Sequence, residues 1–105
     1  MLRIVDVIEE LIRQVRPLAD AVGRKDPELA KQLRAALSSA LLNTGEGSDQ
    51  RGARRTNHYA IALGSAREAL LALRAAQAWG HIRPVPNDVV DTFDRVIGTL
   101  VKVVR

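Results

Sequence analysis

The chain has 105 residues and a net charge of +4, which fits one domain spanning residues 1–105. It has no cysteine, which excludes disulfides and thiolate chemistry and fits a reducing compartment. Met1 leads directly into charged sequence without a signal-peptide pattern, and no apolar run approaches the ~18 residues of a membrane span. We therefore expect a cytoplasmic protein that does not enter the membrane.

The first half of the chain carries two helical patterns. Apolar residues recur every three or four positions between Arg3 and Val22, which predicts a first helix that Gly23 ends. Asp26 and Pro27 then read as the N-cap and first residue of a second helix. We expect this helix to end within residues 43–47, fraying at Gly45, before a flexible glycine-containing connection that extends to Gly52.

The second half of the chain carries two more helical patterns. A third helix, rich in small residues, is predicted over about Ala53–Trp79 and is closed by Gly80. A fourth starts at Pro86 or Asn87 and carries two adjacent apolar rows. The first row is Val89, Phe93, Val96, Leu100 and Val103, and the second is Val90, Ile97, Val101 and Val104.

Four helices with short connections predict an all-α, antiparallel, up-down-up-down four-helix bundle. The scarcity of aromatic residues, which number only three, also favours helix packing over a β-sandwich. Because the two rows of the fourth helix are wider than one core requires, we expect this helix to meet a second subunit as well.

The residue pattern does not indicate a catalytic site or a metal site. The two histidines, His58 and His81, do not follow a glutamate at the three-residue spacing of bundle metal sites. Glu46 and Glu68 with His58 form a conceivable acid–base set, but no nucleophile motif accompanies them. We therefore predict no metal, no cofactor and no enzymatic activity.

Positive charge is concentrated in one part of the chain. Residues 51–83 contain six arginines and one acid, whereas residues 1–50 have a net charge of −1 and residues 84–105 are neutral. Such a segment attracts phosphate backbones, although a solvated helix face or ion pairs across a subunit contact would explain it equally well. The candidate nucleic-acid-binding residues are Arg51, Arg54, Arg55, His58, Arg67 and Arg74.

Base-specific recognition is not expected from this basic segment. Tyr59 is the aromatic residue closest to the arginines in sequence, and it fits the apolar stripe of the third helix better than a stacking platform. Binding through phosphates, without sequence preference, is the mode that the residues favour.

Two motifs resemble those of the bacterial four-helix bundle proteins, which include proteins encoded in intervening sequences of large-subunit ribosomal RNA genes. The pattern Ser-x-x-x-Asn-x-x-Glu-Gly ends the second helix of that family, and here it spans residues 39–47 through Asn43, Glu46 and Gly47. The pattern Tyr-x-x-Ala-x-Gly-Ser-x-x-Glu follows on the third helix. Its positions here are Tyr59, Ala62, Gly64, Ser65 and Glu68.

The resemblance implies more than the residues do alone. Members of the family form homo-pentameric barrels without known catalytic activity. The accessory protein of diversity-generating retroelements is similar in fold and is a basic pentamer that partners a reverse transcriptase and nucleic acid. We therefore expect a non-enzymatic homo-oligomer, pentameric by resemblance, that binds RNA or DNA. The alternatives are a scaffold that binds an acidic protein and a basic surface that only stabilises the oligomer.

The polar motif residues Asn43, Glu46, Ser65 and Glu68 invite a structural interpretation. They lie near a helix contact made of small residues, where buried polar groups must be paired. We expect Glu46 and Glu68 to bind arginine, either Arg55 or an arginine of a neighbouring subunit, and so to fix packing rather than perform chemistry.

Overall fold

The computed structural model describes residues 3–105, and within this range it contains helices and turns but no strand. The four helices are α1 (Ile4–Lys25), α2 (Pro27–Ser48), α3 (Gly52–Ala78) and α4 (Asn87–Val104). α1 packs on α2, α2 on α3, α3 on α4, and α4 closes the ring against α1. The predicted antiparallel up-down-up-down four-helix bundle is confirmed.

Asp26 forms the junction between α1 and α2. Its Oδ1 accepts a hydrogen bond from the Leu29 amide at 3.1 Å, and its own amide donates to the Val22 carbonyl at 2.7 Å. Pro27 disfavours helical geometry at the preceding residue, so the chain breaks at Asp26, where φ is −148°. The prediction that Gly23 ends α1 was therefore wrong, because helix α1 continues to Lys25.

The end of α2 also differs from the prediction. The helix continues through Gly45 and Gly47 to Ser48, and the connection to α3 is only residues 49–51. Gly47 is buried against α3, so tertiary packing holds a segment that glycine would otherwise weaken. Gly52, with φ of +60°, begins α3.

The turn between α3 and α4 follows the predicted signals. Gly80 has a φ of +76°, the left-handed geometry that closes helices. Its amide donates to the Gln77 carbonyl at 3.0 Å and the His81 amide to the Ala76 carbonyl at 2.9 Å, which together form a Schellman motif. Pro86 precedes the first residue of α4.

The core contains large side chains from all four helices, and α3 adds many small ones. Phe93 of α4 is fully buried and belongs to the same core cluster as Ile8, Leu11, Leu33, Leu73 and Leu100. The buried face of α3 consists largely of alanine. These residues are Ala62, Ala66, Ala69, Ala72 and Ala76, and their small size lets α2 and α3 approach closely.

The second apolar row of α4 does not form a free face. Ile97, Val101 and Val104 are partly buried against the chain's own core, and only Val103 of α4 is an exposed large apolar residue. The wide apolar surface of α4 is therefore no reason to expect a second subunit there. Among the described residues, the most exposed large apolar side chains lie elsewhere: Leu42 on α2, Leu71 on α3 and Trp79 after α3.

In the part of the chain that the structure describes, every helix is either too short or too polar to cross a bilayer.

The burial of Phe93 generates a prediction about stability. Replacing Phe93 with alanine removes a fully buried ring and leaves a cavity, so we expect the free energy of unfolding to fall by about 3–5 kcal/mol. Urea unfolding followed by circular dichroism measures this loss. Val103→Ala is the matched control on the same helix, and at this exposed position we expect a change below about 0.5 kcal/mol. Equal losses in both variants would contradict the assigned core.

Candidate functional site

The end of the bundle where α2 connects to α3, here named the hairpin end, carries an exposed cationic segment. All residues from 51 to 57 are exposed, and this segment contains Arg51, Arg54 and Arg55. None of the three makes an ion pair with a described residue, and the first turn of α3 contains no acid. The guanidinium groups therefore add to the positive end of the α3 dipole, an arrangement that favours an external anion.

Arg55 is held by an aromatic ring rather than by an acid. Its guanidinium carbon lies 4.9 Å from the centre of the Tyr59 ring, within range of a cation–π interaction. Tyr59 is buried and packs against Gly47 of α2, where a Cβ atom would come within 3.1 Å of the ring. The absence of a side chain at Gly47 thus positions Tyr59, which in turn positions Arg55.

A chain of polar side chains connects α2 to α3 behind this segment. The Ser65 and Ser39 hydroxyls are 2.8 Å apart, and Asn43 Nδ2 donates to the Ser39 carbonyl at 3.0 Å. The other end of the Asn43 amide faces His58, with 3.1 Å between Oδ1 and Nδ1. All four side chains are partly buried, so these bonds satisfy groups that would otherwise oppose the close helix contact.

The same geometry orients the Asn43 amide toward the His58 ring. The Ser39 carbonyl can only accept a hydrogen bond, so the Asn43 atom that faces it is the amide nitrogen. Asn43 Oδ1 therefore faces His58, and His58 Nδ1 donates the hydrogen. His58 Nε2 makes no hydrogen bond with any described residue.

Glu46 and Glu68 do not form, within one chain, the arginine pairs that the sequence suggested. Both side chains are exposed, and neither makes an ion pair with any described residue of the chain. Within one chain the predicted pairing with Arg55 was wrong, because Arg55 stacks on Tyr59 instead. The physical reason is that the contact between α2 and α3 is already filled by neutral hydrogen-bonded groups, which leaves both carboxylates on the outside.

The six predicted binding residues divide into two groups. Arg51, Arg54, Arg55 and His58 belong to the hairpin end, where His58 is half-buried and the arginines are exposed. Arg67 and Arg74 are also exposed, but Arg67 follows Arg55 by twelve residues, which is about 18 Å along α3 and about a third of a turn around it. These two arginines therefore do not extend the surface at the hairpin end.

The fold places three further cations at the hairpin end that the sequence pattern did not assign to it. An antiparallel bundle places the start of α1 and the end of α4 at the same end as the connection from α2 to α3. Arg3, Lys102 and Arg105 therefore join the three arginines there, against the acids Asp6, Glu46 and Asp49. Six cations against three acids give this end a net charge of +3. These charged residues are visible in the sequence, but only the topology of the bundle brings their distant segments to one end.

The opposite end of the bundle has no such excess. The segments that form it, residues 23–31 and 76–91, contain four cations and four acids. The charge of the molecule is therefore polarised along the bundle axis, with the positive pole at the hairpin end.

Within residues 3–105 no group of three or more His, Asp or Glu side chains is arranged to hold a metal ion. No family model, curated protein or solved structure matches this chain. The geometry of its own residues is therefore what supports an assignment of function.

The contact of Gly47 with Tyr59 generates a prediction that uses two neighbouring glycines. We expect Gly47→Ala to destabilise the fold by about 1 kcal/mol, because the new Cβ overlaps the Tyr59 ring. Gly45→Ala meets nothing within 4 Å and should instead stabilise α2 by about 0.5–1 kcal/mol through helix propensity. Thermal unfolding of the two variants checks both signs, and equal stabilisation would show that Tyr59 does not need the space at Gly47.

Proposed function

We propose that this protein is a non-enzymatic binding protein that holds nucleic acid, preferentially RNA, through phosphate contacts at the hairpin end. The observation that carries the proposal is the exposed segment 51–57, whose three arginines have no acidic partner among the described residues. Unpaired arginines at a positive helix terminus bind phosphate through charge, bidentate hydrogen bonds and counterion release.

The mode of binding follows from the groups that the hairpin end offers. Guanidinium groups contact phosphates well, but they carry no information about sequence unless they reach base edges. Tyr59 is buried and therefore offers no face for base stacking. These features support binding that follows the backbone and is nearly independent of sequence.

Self-association forms the second part of the proposal. The resemblance of the motifs in α2 and α3 implies a homo-pentamer, and the exposed apolar side chains Leu42, Leu71 and Trp79 offer contact area outside the core. A ring of subunits would repeat the hairpin end several times, and repeated weak phosphate contacts strengthen one another. Glu46 and Glu68, exposed in one chain, are available to pair with arginines of a neighbouring subunit.

The proposed interface generates a prediction about salt dependence. Changing Arg51, Arg54 and Arg55 together to Gln should weaken binding to a labelled single-stranded RNA, because three phosphate contacts are lost. On a plot of log affinity against log salt, the slope should fall in magnitude by about 2. Fluorescence anisotropy over a salt series measures both quantities.

Two matched variants make this experiment specific. Arg24→Gln with Lys25→Gln removes exposed charge from the opposite end of the bundle and should leave the slope nearly unchanged. Arg67→Gln with Arg74→Gln tests the second group of arginines and should lower the slope by less than the hairpin-end variant. Absence of nucleic-acid binding at low salt would exclude the proposal and favour the alternative, a scaffold that binds an acidic protein.

A further prediction separates a ligand surface from a subunit contact. Arg54→Glu with Arg55→Glu should abolish RNA binding while the oligomer remains intact, because both residues are exposed. Light scattering coupled to gel filtration determines the mass of the assembly. Loss of assembly would show that the basic surface serves only to stabilise the oligomer.

A further inference from the structure

Helix α3 carries apolar residues on its exposed side as well as on its buried side. α1 and α4 are strongly amphipathic, whereas apolar residues are distributed almost evenly around α3. Five large apolar side chains are exposed among the described residues, and three of them, Leu42, Ile61 and Leu71, lie on α2 and α3. A helix with apolar residues all round is normally covered all round, so the outer surface of α3 suits contact with another chain.

One exposed surface, here named the acidic patch, crosses the seam between α2 and α3 and consists of Leu42, Glu46, Ile61 and Glu68. Glu46 follows Leu42 by four residues and Glu68 follows Ile61 by seven, so each glutamate shares a side of its helix with an exposed apolar residue. The hydrogen bonds between α2 and α3 set a register in which Leu42 lies near the level of Ile61. The acidic patch thus has an apolar centre between two carboxylates, which are about 15–20 Å apart along the bundle.

A second exposed surface, here named the basic strip, lies on α3 alone and consists of Arg67, Leu71 and Arg74. Spacings of four and three residues place them on one side of the helix, and Leu71, which is 59% exposed, lies between the two arginines. Glu68 follows Arg67 by one residue, which is about 100° around a helix, so the basic strip and the acidic patch face different directions. Both surfaces are therefore open in the same chain.

The two surfaces complement each other. The acidic patch has an apolar centre flanked by carboxylates, and the basic strip has an apolar centre flanked by guanidinium groups about 10 Å apart along α3. The long arginine side chains make up the difference in spacing and form charge-assisted hydrogen bonds with carboxylates. Nucleic acid does not suit the acidic patch, because Glu46 and Glu68 repel phosphate. A second copy of this chain carries the surface that does.

We infer that the acidic patch of one copy binds the basic strip of another. This inference rests on the self-association proposed above and names its two surfaces. Because the surfaces differ, the contact leaves each pair with one free surface of each kind, and it repeats until a ring closes. Glu46 and Glu68, which pair with nothing described in one chain, then bind Arg67 and Arg74, which lie away from the hairpin end.

Charge reversal on the full chain tests whether the two surfaces meet. Glu46→Lys with Glu68→Lys, and separately Arg67→Glu with Arg74→Glu, place like charges across the contact. Each double variant should raise the dissociation constant of the assembly roughly ten- to a hundredfold. Light scattering coupled to gel filtration, over a concentration series without nucleic acid, measures this change. All four positions are exposed, so circular dichroism should show an unchanged fold.

Combining the four substitutions in one chain gives the sharpest result. The acidic patch then becomes basic and the basic strip becomes acidic, so the surfaces match again and assembly should return. Asp91→Lys with Asp94→Lys, at exposed positions of α4, is the control for the same change in net charge and should leave assembly unaffected.

The apolar centre has its own test. Leu71→Ala should weaken association more than about tenfold, because it removes apolar area from the contact. Val103→Ala, at an exposed apolar position of α4, is the matched control and should change little.

Three results would overturn the inference. Assembly that survives both double reversals would show that self-association uses other surfaces, and the proposed function would stand. Assembly that both doubles lose and the quadruple variant does not regain would show that these residues do not face each other. A wild-type chain that stays monomeric at every concentration would remove self-association together with the inference. RNA binding at the hairpin end is measured separately by anisotropy, so its failure is distinguishable from all three.

Discussion

The close contact between α2 and α3 is the constraint on which the rest of the structure depends. Two helices approach closely only where side chains are small, and the alanines of α3 and Gly47 of α2 provide this. Polar groups caught in such a contact must be paired, and Ser39, Ser65, Asn43 and His58 pair with one another. A different register between the helices would leave these groups unpaired, so the contact fixes the register as well as the distance.

That register also determines what the hairpin end presents to solvent. Gly47 leaves room for the Tyr59 ring, and this ring contacts the Arg55 guanidinium. Arg51 and Arg54, at the start of α3, are exposed and have no acidic partner among the described residues. The motif residues thus have different roles. Asn43, Gly47, Tyr59 and Ser65 build the helix contact, whereas Glu46 and Glu68 lie outside it and have no explanation within a single chain.

Arginine without an acidic partner is common in this bundle, because only Arg13 and Arg34 make ion pairs among the described residues. The hairpin end differs in that several guanidinium groups lie together in water, which suits a polymer that carries many phosphates.

The sequence alone determined the helices, because helix signals are local: apolar periodicity, the Asp26–Pro27 start, the Gly80 stop and the Pro86 boundary all act over a few residues. It also located the arginines of the hairpin end. The tertiary structure alone decided that α2 continues through its glycines, that the second row of α4 is covered, and that Glu46 and Glu68 are exposed. The physical reason is common to all three: each depends on which helix faces which and in what register, and this is set by contacts between segments that are distant in the chain.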